Sequence, residues 1–418
     1  MRCWLGAAGV VIALALGAAP ARATDTQLKF YSWQTDDQSN SIWWLATIKA
    51  FEAEHPGVTI QFTKVARADF ADTMMVMFGA DTPPDIVHLA AFEFPAFAEQ
   101  DWLKDLGAWI KPGSLPLDRW AGQETCVVGG KTLCINLNYF GYLLFYNDAL
   151  LKDAGLAVPT TWESYLAAAR ALSKPAAQTY GIGLHTAAGA GQYVTELLCY
   201  VLDAGGYWTT SAGAPNFESP GVIEGLRRWK LVQREKLTPL GAKDEDVRQL
   251  FIEGRIALRL DGPWMYGLLA KAKPELRPAL KVAEPPFTVP VGGTSNVIAM
   301  PTKLAPARKR LVADYIAMIT SAHWQEQYVL LSGQTAPRPG SLTAEARAKM
   351  PFLEVFEASK NRAAAAHIDR LPVGFETKYN ELAKIITEES QRMVVDDGAP
   401  EAAAKRIQMR AVELKTSG

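Results

Sequence analysis

The chain has 418 residues, enough for two or three domains, with 49% of them hydrophobic and 21% charged, a balance that supports a substantial core. A formal net charge of −1 leaves no electrostatic footprint for nucleic acid and no polybasic segment for an anionic membrane surface. The first feature in chain order is a targeting segment. Arg2 is the only charge before the apolar run "CWLGAAGVVIALALGAAP", and "ARA" at 21–23 offers small residues for cleavage. The run is short for a membrane span and ends in Pro20. A cleaved secretory signal over 1–23 is therefore expected, with a mature start at Thr24 in the periplasm or its equivalent. No cysteine stands just after the run, which argues against a lipoprotein.

"LKFYSW" (28–33) alternates as a strand. In "SIWWLATIKAFEAEH", Ile42, Leu45, Ile48 and Phe51 recur every three residues and predict an amphipathic helix. "HPG" (55–57) stops it. "VTIQFTKV" (58–65) is a second strand, "DFADTMMVMF" a helix, and "DIVHLA" (85–90) a third strand. This alternation implies parallel β-α-β units with right-handed crossovers. Cys126 and Cys134 flank "VVGGKTL", a hairpin turning at Gly129-Gly130; an oxidising compartment would let them bridge. "YFGYLLFYN" (139–147) reads as one apolar strand, and "VPTTWESYLAAARALS" as a helix capped by threonine. "YGIGL" (180–184) is a short strand. Helices follow at about 192–204 and 219–235, the first carrying Cys199 as a buried thiol. "DVRQLFI" (246–252) is helical and ends at Gly254, and "IALRLD" is a strand. The last third is mostly helical, interrupted by "SGQTAPRPGS" (332–341).

Several catalytic patterns fail on inspection. "GGKT" (129–132) lacks the leading glycine of a phosphate-binding loop, since Thr125 stands there. "GIGLHT" and "GAGQYV" each lack the third glycine of a dinucleotide fingerprint. The five histidines show no ligand spacing, and no G-x-S-x-G occurs. Of the acidic pairs, Glu388-Glu389 reads as solvated surface, whereas Asp36-Asp37 follows a strand end and could touch a ligand. No catalytic residue, cofactor or metal is expected.

"RLDGPWMYG" (259–267) asks for a different explanation. Ligands of open α/β sheets bind beyond the carboxyl ends of strands, and Asp261 is such an end. Gly262 permits a tight turn, Pro263 suits a first helical position, and Trp264 comes next. Its ring could plug a core or stack on a sugar face with the N–H free to donate.

Several segments, in order, resemble the family-1 extracellular solute-binding proteins of ABC importers, the carbohydrate binders that include maltose-binding proteins. They are "FEAEHPGVTIQF" (51–62), "PDIVHLAAFEFPAFAEQDWLKDL" (84–106), "LLFYNDALLKDAGLAVPTTWESYLAAARAL" (143–172), "FIEGRIALRLDGPWMYG" (251–267) and "SGQTAPRPGS" (332–341). The resemblance implies an α/β, two-lobed, type II Venus-flytrap fold. Each lobe would be a mainly parallel sheet flanked by helices, with crossings near 138–140, 290 and 337. The lobes would be 24–138 with 291–337, and 139–290 with 338–418. A small sugar or sugar derivative would lie between them, and the closed monomer would dock on a membrane permease. The same resemblance implies a ligand set: Trp33, Gln34, Phe92, Glu93, Tyr139, Trp208, Asp261, Trp264, Gly293, Thr294, Ser295 and Arg338. Phe92 and Phe140 are apolar where such binders often present polar groups, which argues against a long maltodextrin. Glu93 and Arg338 leave an acidic or phosphorylated sugar open. Rival readings are the same fold holding glycerol phosphate, a polyol, a polyamine or ferric ion, or a secreted carbohydrate-active enzyme.

Overall fold

The computed structural model describes residues 26–35, 39–110, 115–188, 190–366 and 370–417. The expected signal segment, the Thr24 start and the Asp36-Asp37 pair lie outside the described residues. The chain opens with β1 (Thr26–Ser32), α1 (Asn40–Glu54), β2 (Val58–Lys64), α2 (Phe70–Gly79), β3 (Val87–Ala90) and α3 (Phe94–Glu99). A small hairpin, β4 (Val127–Val128) and β5 (Lys131–Thr132), precedes β6 (Ile135–Gly141) and β7 (Leu143–Asn147). Then come α4 (Asp148–Asp153), α5 (Trp162–Leu172), β8 (Tyr180–Gly183), α6 (Ala190–Asp203), α7 (Pro220–Arg234) and α8 (Asp244–Ile252). They are followed by β9 (Ile256–Asp261), the single turn α9 (Met265–Leu268), β10 (Leu280–Ala283) and β11 (Gly292–Ala299). The chain closes with α10 (Pro306–Ile319), α11 (Ala322–Ser332), α12 (Ala344–Lys349), α13 (Leu353–Ala365), α14 (Tyr379–Val395) and α15 (Pro400–Thr416).

Apart from the separate β4–β5 hairpin, the strands form two arrays, one per lobe, the first made of a two-stranded and a three-stranded sheet joined by a single bridge. In the first, β1 and β2 run parallel, in register from Thr26 with Val58 to Ser32 with Lys64. A parallel bridge from Phe30 to Ile86 brings in the β3 segment, as the β-α-β pattern requires. β11 then lies antiparallel between β3 and β6. The second sheet has the order β10-β7-β9-β8, with β8 and β9 parallel and the other pairs antiparallel. The molecule is thus two-lobed.

The apolar run 139–147 is two strands rather than one. Sheet membership changes between Gly141 and Leu143, so the chain leaves one lobe for the other at Tyr142. An unbroken apolar run hides this break because both strands are buried on both faces. The passage expected near 337 also lies elsewhere. Ala121 N–H donates to the Pro337 carbonyl, and Arg338 donates to the Thr320 carbonyl at the end of α10. Both contacts hold that turn beside first-lobe elements. α12 and the start of α13 pack in a cluster that joins both lobes, with α1 and α10 of the first and β7, α8 and β9 of the second, and Phe352 stacks on Tyr266 of α9 at 3.6 Å. The chain then passes over along α13, where Ser359 Oγ donates to the Tyr142 carbonyl at 2.6 Å.

α1 shows how packing selects a face. Trp43, Trp44, Thr47, Ile48 and Phe51 are buried, whereas Ile42 and Leu45 are 51% and 56% exposed. A strict three-residue spacing drifts around a helix of 3.6 residues per turn. The two indoles bring far more apolar area than Ile42 and Leu45 and set the inward face. α5 begins as expected, with Thr161 Oγ1 accepting from the Ser164 N–H and Ser164 Oγ accepting from the Thr161 N–H. Cys126 and Cys134 are joined in a disulfide with a Cα separation of 5.0 Å, and Cys199 is a free, buried thiol. Among the described residues no helix is long and apolar enough to cross a membrane.

Candidate functional site

The end of β9 carries a buried ionic network. Arg259 is fully enclosed and meets Glu196 at 2.9 Å, Asp261 at 3.1 Å and also Asp244. Arg248 adds a two-pronged contact to Asp261, with both N–O distances at 2.8 Å. Burial by itself would raise the Asp261 pKa. The two guanidiniums outweigh it and hold this carboxyl at about 2. Burial also raises Glu196, and there Arg259 opposes it only in part, leaving a pKa of about 7.

Asp261 sets Trp264 in place. Its Oδ1 accepts the indole N–H at 2.9 Å and the Gly262 N–H at 2.8 Å. The indole N–H expected to face a ligand is therefore spent on the protein, and Asp261 itself has no exposed surface. Gly262 has a role beyond turning the chain: the Trp264 ring folds back over it, so that a Cβ there would collide with the ring. Trp264 caps α9, and its half-buried ring meets Phe140 edge-on at 5.0 Å and Tyr142 at 6.2 Å.

The first lobe presents a second aromatic wall at its strand ends. Trp33, just after β1, stacks on His88 at 4.3 Å and 11°. Burial, and then the nearby Arg67, push the His88 pKa down to about 3, so this ring is neutral. The Arg67 guanidinium lies 4.8 Å from the Trp33 ring centre and 5.3 Å from Phe92. Glu93 holds Arg67 at 2.7 Å and accepts the Ala90 N–H at 3.1 Å. It is buried and positions Arg67 rather than presenting itself to a ligand. Phe92 reaches across to Tyr379 of the second lobe at 5.8 Å.

The crossing strands join the walls. Side chains alternate along β6; Phe140 faces Trp264, and Tyr139 faces the other way. Gly122, with φ of 75°, lies so close to Tyr139 and Thr294 that a Cβ would strike both. Thr294 Oγ1 donates to the Gly122 carbonyl at 3.0 Å. The side chains of Tyr139 and Thr294 thus serve first-lobe packing, which corrects their expected place in the cleft. Gly293 pairs with Phe140 in the sheet. The β6–β11 register slips between Thr294 and Asn296, leaving Ser295 as a bulge whose carbonyl accepts the Ala91 N–H at 2.9 Å.

Arg370 enters this junction from the turn between α13 and α14. Its guanidinium is 5.0 Å from the Phe140 ring centre and 5.7 Å from that of Phe92, and it donates to the Thr294 carbonyl at 3.2 Å. The structure therefore brings together Trp33, Phe92, Glu93, Ser295 and Trp264, with Arg67, Phe140, Arg370 and Tyr379 among them.

Other expected ligand residues lie elsewhere. Trp208 has no accessible surface and stacks on Phe217 at 5.5 Å in the second lobe's core, so no face is left for a sugar. Gln34 is buried with its carbonyl oxygen accepting the Trp44 indole N–H at 2.8 Å. Arg338 is engaged by α10, as described above. A separate cavity of about 550 Å³ opens in the second lobe, lined by Trp162, Asp203, Arg228, Glu284 and Arg362 among others. Four of its charges are paired within the wall, Arg228 with Asp203 at 2.6 Å and Arg362 with Glu284 at 2.7 Å. Among the described residues no group of three or more histidines, cysteines or carboxylates is placed to hold a metal.

Arg67 follows the carboxyl end of β2 and was findable by the strand-end rule that pointed to Trp264. Arg370 follows no strand, and only the fold brings it to the cleft.

The sequence profile described as bacterial extracellular solute-binding protein matches residues 36–326. Putative binding proteins of Brucella abortus and Brucella suis are each 24% identical over 242 residues, covering 55% of this chain and 56% of theirs. The chain thus spans about half the length of the curated relatives it matches. Among solved structures, the GacH receptor of Streptomyces glaucescens, determined unliganded and with acarbose, has a TM-score of 0.81 at 18% identity, covering 94% of this chain and 100% of its own. Maltose-bound MalE3 of T. maritima has a TM-score of 0.81 at 20% identity, with coverage of 93% and 100%. A solute-binding protein of Agrobacterium radiobacter in complex with ribitol has a TM-score of 0.77 at 19% identity, with coverage of 94% and 99%. At such identities these structures share the fold. Because the profile covers well over half of it, the chain belongs to the family of bacterial extracellular solute-binding proteins.

Proposed function

We propose that this protein captures a small carbohydrate or sugar derivative between its lobes and delivers it to the membrane permease of an ABC importer, without turning it over. The observation that carries this reading is the meeting of aromatic faces from both lobes at the crossing strands. Phe92 comes from one lobe, Trp264 and Tyr379 from the other, and Phe140 from β6 between them. Aromatic faces suit the apolar face of a sugar ring, and hinge closure about crossing strands encloses what lies between. Acarbose, maltose and ribitol in the structural neighbours support a carbohydrate or polyol as the ligand class. On this reading the protein is a monomer exported by a signal cleaved before Thr24. The lobes divide as 24–138 with 291–337, and 139–290 with 338–418, except that the first boundary moves from 138 to Tyr142 and the last from 337 to α13.

The test is a thermal-shift screen of the mature chain against mono- and disaccharides, polyols, sugar acids and sugar phosphates, because a ligand of the folded form alone raises its melting temperature. A saturable rise with at least one of these, and a single-site calorimetric isotherm for it, is the expected result. No rise with any of them, or chemical conversion of one, contradicts the reading.

A further inference from the structure

We infer that the solute carries an anionic group, a carboxylate or a phosphate on a sugar or polyol frame, and that Arg370 receives it. This deepens the reading above and rests on it. Arg370 sits where the two lobes meet, with its guanidinium near both Phe140 and Phe92 and one nitrogen given to the Thr294 carbonyl. Its Nε is buried without a hydrogen-bond partner, and Arg370 has no ion pair among the described residues. A buried donor left unmatched is costly, and such groups mark places where a partner is due.

Among the described residues, the charges around it do not supply that partner. Glu93 is committed to Arg67 and to the Ala90 N–H. Asp261 is committed to Arg248, Arg259, Gly262 and Trp264. Among these groups Arg370 is the cation left over. A guanidinium edge matches two oxygens of a carboxylate or phosphate. Phe92 and Thr294, which cover Arg370, belong to the first lobe, whereas Leu371 and Tyr379 beside it pack in the second-lobe core. Separating the lobes uncovers the Nε, and closing them over a solute seals the ion pair from water. Stacking on Trp264 and Phe92 then holds the frame, and Arg370 selects the acidic member of otherwise matched solutes.

The experiment is calorimetry of the mature chain with matched pairs: glucose against glucuronate, and glucose against glucose 1-phosphate. At least one acidic member should bind ten-fold or more tightly than glucose, and which one does separates carboxylate from phosphate. Arg370→Gln should remove that preference by lowering the affinity of the acidic member at least ten-fold more than that of glucose, and Arg370→Lys should restore part of it. Glucose binding as tightly as both acids, or Arg370→Gln leaving the preference intact, overturns the inference but not the sugar reading. If none of the three binds and the wider screen also finds no carbohydrate, both fail.

Discussion

The two walls of the cleft are built on different principles. The second-lobe wall is a tryptophan fixed from behind by a buried array of five charges, Arg248, Arg259, Asp244, Asp261 and Glu196. The first-lobe wall is held by stacking, Trp33 on His88, and by one ion pair, Arg67 with Glu93. Buried charges tolerate the loss of a partner poorly, whereas stacked and half-exposed groups can be trimmed at modest cost. The contrast teaches that a cleft can have one wall coupled to the stability of its lobe and another that is nearly free to vary with the solute.

The strongest way to break this contrast is Arg259→Met. It leaves Asp244 and Asp261 to Arg248 and takes from Glu196 the guanidinium that pairs with it, and should cost about 3–5 kcal/mol of folding stability in a denaturant titration, as expected for a broken buried pair. A cost under about 1 kcal/mol would mean that the array does not secure the second wall.

A smaller effect is expected at the first wall. Phe92→Ala removes a half-buried ring and should lower solute affinity about ten-fold, or about 1.4 kcal/mol, with a lesser change in apo stability. A melting loss as large as that of Arg259→Met would erase the distinction between the walls.

The walls should also respond to pH, in opposite directions. Glu196 has a folded pKa of about 7, raised from 4.5, so its contribution is complete below about pH 4.5 and is lost as pH rises through 7. His88 is depressed from 6.5 to about 3, so its contribution is present above pH 6.5 and is lost as pH falls toward 3. Melting profiles from pH 4 to 8 should show Glu196→Gln flattening the alkaline decline and His88→Gln the acid one. If neither profile differs from the parent, the two groups do not titrate as their surroundings imply.

What was legible in the sequence follows from which signals are local. A strand end is local, and it pointed to Trp264, whereas Trp33 and Phe92 came from the family resemblance. The Thr161 cap and the cysteine-flanked hairpin are local as well, and the structure contains both. Trp208 was misread because proximity to a glycine turn does not reveal that Phe217 stacks on it. Tyr139 and Phe140 are adjacent, and choosing between them needs the strand's facing, which Gly122 and Thr294 set from distant parts of the chain. Arg370 reaches the cleft only after α13 has crossed between the lobes, and the break at Tyr142 shows only in the pairing of its neighbours.

Trp264, held by Asp261, is the ring proposed to face the solute. Calorimetric affinity of Trp264→Ala for the identified solute, with the apo melting temperature recorded alongside, tests this most directly. Removing a central stacking contact worth about 2 kcal/mol should weaken binding roughly 30-fold. The half-buried ring should cost less stability than the about 3–5 kcal/mol expected for an enclosed one such as Trp208. Unchanged affinity together with a large fall in apo melting temperature would show that Trp264 plugs the second lobe and does not face the solute.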